Sequence, residues 1–129
     1  MKRALAIILL YSSFSYSTDI CRNITTSEQV ALCSESKKDS ADKYLNEQYS
    51  MLISKVNSVY MNDESLKQEF VSNIKTSQRD WIKFRDSNCK LYSFQIDNKS
   101  SAYQTTVNEC VAKMSKTRGK ELAELSGDI

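Results

Sequence analysis

The run Lys38-Asp39-Ser40-Ala41-Asp42-Lys43-Tyr44-Leu45-Asn46-Glu47-Gln48-Tyr49-Ser50-Met51-Leu52-Ile53-Ser54-Lys55-Val56-Asn57-Ser58-Val59-Tyr60 sets the fold class. Ala41, Leu45, Tyr49, Leu52, Val56 and Val59 recur at three and four positions, while Lys43, Glu47, Ser50, Ser54 and Asn57 mostly face the other way, the pattern of an amphipathic helix. The chain contains no proline and only two glycines, Gly119 and Gly127, and shows no useful stretch of period-two alternation. An all-α protein follows.

Downstream, Asn62 or Asp63 is placed to cap a further helix that carries Leu66, Phe70, Ile74, Trp81, Phe84 and Leu91 on its inner face to about Tyr92. Ser93 to Ser100, with Asp97-Asn98-Lys99-Ser100 at its polar end, reads as the reversal. A last helix from about Ser101 to Leu125 uses Tyr103, Val107, Cys110, Met114, Leu122 and Leu125, tolerates Gly119 and stops at Gly127. Upstream, Thr25 and Glu28 form a capping-box pattern for a short helix ending at Cys33. The expected architecture is an elongated antiparallel bundle of three long helices plus a short N-terminal helix. With 129 residues and no internal repeat or linker, residues 18–129 read as one domain.

Residues 1–17 read as a signal peptide: Lys2 and Arg3, an unbroken apolar stretch from Ala4 to Leu10, and small residues at alternate positions through Ser13, Ser15 and Ser17. That stretch is too short to span a bilayer, and no later segment is apolar enough to do so. Asp19-Ile20 before Cys21 does not resemble a lipobox. The whole chain carries 18 Lys and Arg against 16 Asp and Glu; without the leader the counts are equal, so net charge gives no argument for nucleic acid. Cys21, Cys33, Cys89 and Cys110 form an even set, which in an exported chain implies a disulfide framework. Of three possible pairings, Cys21 with Cys33 and Cys89 with Cys110 is favoured, because each cysteine then meets its neighbour across a short turn or hairpin. Asn23-Ile24-Thr25 and Asn98-Lys99-Ser100 match the glycosylation acceptor pattern, which chance also supplies often.

The residue inventory excludes much catalytic chemistry. Without histidine there is no Ser-His or Cys-His nucleophile and no histidine zinc motif, and no cysteine pair has C-x2-C spacing. Two glycines cannot build a phosphate loop or a dinucleotide fingerprint. Carboxylate pairs could be drawn from Asp42, Glu47, Asp63, Glu64, Asp80 and Asp86, but any charged helical protein offers such pairs, and a solvated or salt-bridged role is expected. No enzyme, cofactor or metal site is expected.

Two constellations stand out. Gln78, Trp81 and Arg85 share a helix face, so Arg85 can lie over the Trp81 ring while its fork binds a carboxylate, with Cys89 one turn on. Asp42, Leu45, Asn46 and Tyr49 share another face and mix polar groups into an apolar stripe, with Arg85 or Arg118 as the natural partner. With Cys21 and Cys33 bracketing Glu28, and with Cys110, Met114, Arg118 and Leu122, they resemble the LprI-type lysozyme inhibitor family of bacterial exported proteins across essentially the whole mature chain. The resemblance implies a helical, disulfide-linked periplasmic or secreted protein whose partner is a protein: a lysozyme or another cell-wall hydrolase. No binding motif of that family transfers residue by residue. Exposed aromatics at the helix reversal, Tyr92, Phe94 and Tyr103, are the candidate contacts. The alternative is a non-inhibitory periplasmic adaptor or immunity protein, which would bind a protein and leave lysozyme untouched.

Overall fold

A computed structural model describes residues 19–129. Three helices account for most of them: α1 (Ser27–Val59), α2 (Glu64–Tyr92) and α3 (Ser101–Asp128). No strand occurs among the described residues. The signal-peptide reading falls on residues 1–17, outside the described set.

The expected short first helix does not exist as a separate element. It is the first turns of α1, a single 33-residue helix about 50 Å long. Its capping box is Thr26 with Gln29 rather than Thr25 with Glu28: Gln29 N–H donates to Thr26 Oγ1 at 3.2 Å, and Gln29 Oε1 accepts from the Thr26 N–H at 3.1 Å. Gln29 Oε1 also accepts from the Thr25 N–H at 2.7 Å, so one amide side chain satisfies several donors at the entry. Before it, Asn23 adopts φ 54°, a left-handed conformation that asparagine tolerates well.

Asp63 caps α2, its side chain accepting from Leu66 N–H at 3.0 Å. In the first turn, Lys67 and then Gln68 hydrogen-bond the Glu64 carboxylate and hold its pKa below the ordinary 4.5. The Ser93–Ser100 reversal lies where expected. Ser100 caps α3 by accepting from Tyr103 N–H at 3.1 Å, and Asp97 Oδ1 accepts from Lys99 N–H at 3.0 Å. Gly127 does not end α3, which runs on to Asp128.

Side-chain meetings fix the helix directions. Ser34 faces Asn108, Lys37 faces Glu109, Asp42 faces Ser115 and Tyr44 faces Gly119, so α1 and α3 run parallel. Asp42 meets Arg85 while Tyr60 meets Phe70, so α2 runs against α1, and Cys89–Cys110 with Gln78–Arg118 gives the same sense against α3. The bundle is therefore up-down-up, with antiparallel neighbours in sequence and a parallel outer pair. That parallel pair is the most intimate contact, and α2 lies more loosely against both.

Small residues explain this closeness. Asn108, Val111, Ser115, Gly119 and Leu122 are the buried residues of α3, and they meet Cys33, Ser34, Ala41, Leu45, Leu52 and Val56 of α1 at coiled-coil-like three- and four-residue steps. At Gly119 an added Cβ would lie 2.5 Å from Tyr44 Cε1, so the glycine is there for packing. The expected α3 stripe of Tyr103, Val107, Cys110 and Met114 is only half-buried and includes the groups that meet α2, through Cys89–Cys110 and Asn88–Met114. Five residues expected inside are exposed: Val59, Leu66, Phe84, Leu91 and Leu125. A loosely seated α2 buries only a narrow line, Ile74, Gln78 and Cys89.

The interior divides along its length. Leu45, Leu52, Val56, Ile74 and Leu122, packed by Tyr49, Tyr60, Phe70 and Ile129, form an apolar core toward the α1–α2 turn. Toward the other end the buried groups are Ser34, Asn108, Ser93, two cysteines, Cys33 and Cys89, and the small apolar Ala41 and Val111. Both disulfides lie there. Cys21–Cys33 pins the N-terminal segment to α1, and Cys89–Cys110 joins α2 to α3, the favoured pairing. Cross-links thus stand where apolar burial is thinnest.

Candidate functional site

Where the three helices meet, Arg85 reaches from α2 between α1 and α3. Its Nη1 donates to Asp42 Oδ1 at 2.9 Å and to Ser115 Oγ at 3.0 Å, and Ser115 Oγ–H donates to the same Asp42 oxygen at 2.7 Å. Its Nε and Nη2 both hold Asp86 Oδ1, at 2.9 and 2.8 Å. The Arg85 side chain is 12% exposed and Asp42 34%, so the charge sits largely out of water with its donors engaged. One α1 carboxylate, one α2 guanidinium and one α3 hydroxyl therefore lock the mutual register of all three helices.

A second clasp lies one helical turn away. Arg118 donates from Nε to Gln78 Oε1 at 3.3 Å and from Nη2 to Ser77 Oγ at 3.2 Å, while Nη1 pairs with Glu121 at 2.9 Å. Trp81 is shared between the clasps: the Arg85 and Arg118 guanidinium carbons lie 5.6 and 5.9 Å from its ring centroid. Asp42, Gln78, Trp81, Arg85 and Arg118 are thus gathered into one constellation. Asn46 is exposed on α1 and Tyr49 packs against the apolar core, both outside it.

Sequence reasoning missed Ser115, Ser34 and Asn108. Asn108 Nδ2 donates to Ser34 Oγ at 3.2 Å, and Gln104 Nε2 donates to Asn108 Oδ1 at 2.9 Å. Every buried side-chain nitrogen and oxygen among the described residues has a hydrogen-bond partner. The signal that could have found these residues is the seven-residue step from Asn108 to Ser115, continued by Gly119 and Leu122. Such a fully satisfied network positions helices.

The candidate contact surface lies at the disulfide-linked end. Tyr92 is 73% exposed and Phe94 83%, with Leu91 beside them at 69%. Tyr103, in the first turn of α3, is half-buried. Phe84, one face along α2 from Tyr92, is exposed at the rim of a groove floored by Trp81, Cys110 and Met114. Three large apolar side chains, Leu91, Tyr92 and Phe94, thus stand in water at a reversal that Cys89–Cys110 holds in place.

Among the described residues no helix is long and apolar enough to cross a membrane. A crystal structure of a DUF1311 family protein from Pseudomonas putida KT2440 is similar at TM-score 0.72 and 27% identity, covering 81% of this chain and 97% of that one. An uncharacterised protein of Rhizobium meliloti strain 1021 is 25% identical over 108 residues, 81% of this chain and 77% of its own length. The sequence model described as lysozyme inhibitor LprI matches residues 21–122, which span both disulfides, the Arg85 clasp and the whole aromatic reversal. This chain therefore belongs to the LprI lysozyme inhibitor family.

Proposed function

We propose that this protein acts outside the cytoplasm by binding and inhibiting a lysozyme or a related cell-wall hydrolase, and that it does so through the aromatic reversal between α2 and α3. The observation that carries this reading is the solvent exposure of Leu91, Tyr92 and Phe94 beside a disulfide, in a chain of this family. Large aromatics on a fixed frame anchor protein interfaces because they bury much area and lose little freedom on binding. Two disulfides suit an oxidising compartment.

The test is a wall-lysis assay titrating the oxidised chain against animal-type and bacterial lysozymes. Saturable inhibition is expected, and Tyr92→Ala or Phe94→Ala should each weaken it about tenfold or more, as hot-spot anchors do. Neither change should move the thermal midpoint much, since both side chains lie in water. Inhibition that survives the double variant would remove this surface from the mechanism. Absence of inhibition toward every lysozyme would transfer the reading to a non-inhibitory adaptor or immunity role.

A further inference from the structure

On the side of the molecule formed by α1 and α3, away from α2, a groove of about 730 Å³ is floored by Ala41, Ala112 and Tyr44 and edged by Lys37, Lys113, Lys116 and Lys120. The α3 lysines follow at steps of three and four, so they stand on one face over about 10 Å of helix. The one acid in the groove, Glu109, is engaged across it by Lys37 at 3.5 Å. It is therefore drawn away from Lys113, its natural partner one turn along. Among the described residues no carboxylate lies within ion-pair distance of Lys113, Lys116 or Lys120, which is equally true of Lys75, Lys90 and Lys99, so what sets the three apart is their shared groove.

This arrangement opposes the helix's own preference. Lys116 and Lys120, four apart, repel and destabilise the isolated helix, and neither is in the last turn, where a cation would offset the helix dipole. In a chain that is neutral overall without its leader, a groove lined by Lys37, Lys113, Lys116 and Lys120 with Glu109 as its one acid is a local segregation of charge. We propose that the α1–α3 groove binds a linear phosphate-bearing polymer, laid along the helix pair with its anionic groups on Lys113, Lys116 and Lys120. A narrow chain fits the observations better than a bilayer, because the lysines edge a concavity whose floor a flat surface cannot reach. This site is independent of the aromatic reversal and does not rest on the inhibitor reading.

The experiment measures binding of the oxidised full chain to inorganic polyphosphate across a salt series, with phosphatidylglycerol vesicles and a neutral glucan as parallel probes. Saturable binding to polyphosphate alone is expected. The triple variant Lys113→Gln/Lys116→Gln/Lys120→Gln should weaken it at least tenfold at low salt and flatten the slope of log Kobs against log salt by about two. A charge-matched variant on other surfaces, Lys75→Gln/Lys90→Gln/Lys99→Gln, should bind as the parent does, and circular dichroism should show both variants folded. Equal weakening in the two triple variants, vesicle binding in place of polymer binding, or no binding at low salt would each overturn the proposal.

Discussion

Asp42 takes two hydrogen bonds on one oxygen, from Arg85 and from Ser115, and removing it leaves a largely buried guanidinium with Asp86 as its one remaining carboxylate partner. Asp42→Ala should cost about 1–3 kcal/mol, below the figure for a fully buried pair because the carboxylate is partly in water. Urea unfolding measures this, and a double variant with Arg85→Met should recover part of the loss, since the Nη1 donor left without Asp42 goes with it. Asp42, Arg85 and Trp81 were legible because charged and aromatic residues at helical spacing advertise a polar corner. Ser115 was not, because serine on a helix ordinarily faces water and only the approach of α1 makes this one interior. Phe84 and Leu91 mark the opposite limit: periodicity gives an apolar face, yet it does not say whether another helix covers it.

At the scale of a helix, the three long segments and the reversal at Ser93–Ser100 could be read directly, since proline is absent and Asp63 and Ser100 supply caps. The fusion of the first two expected helices was hidden by the polar run Ser34-Glu35-Ser36-Lys37, which resembles a connection. It is instead a helical turn whose Ser34 hydroxyl donates to Ala31 O and accepts from Asn108. Gly119 is the element-scale counterpart. Alanine there should gain about 1 kcal/mol of helix propensity but must displace the Tyr44 ring, at a typical overpacking cost of about 1–3 kcal/mol. Gly119→Ala should therefore lower the thermal midpoint in the parent and raise it in a Tyr44→Ala background. A drop in both backgrounds would overturn this account, since the Leu45 backbone, at 3.5 Å, is only in ordinary contact.

Over the whole molecule, apolar packing and covalent linkage divide the work. The α1–α2 turn end holds the aliphatic core, while the reversal end relies on buried polar contacts and both disulfides. Replacing Cys89 and Cys110 by serine opens a 21-residue separation and should cost about 3 kcal/mol on the chain-entropy model. Calorimetry of the oxidised parent and this variant checks it. The loss should exceed that from Asp42→Ala if the cross-link is the main support of that end. Pairing of these cysteines could be anticipated from separation along the chain, whereas the close approach of α1 and α3 could not, because it rests on Ser34, Asn108, Ser115 and Gly119, residue types that ordinarily face water on a helix.

With both disulfides gathered at one end, the molecule is a fork whose handle is cross-linked and whose far end is held by packing and the Tyr60–Asp63 turn. Thermal fraying should begin around the Tyr60–Asp63 turn and die away toward the handle. Tyr92 and Phe94 then flank the cross-link, so a partner that closes over them meets a segment already tied to α3.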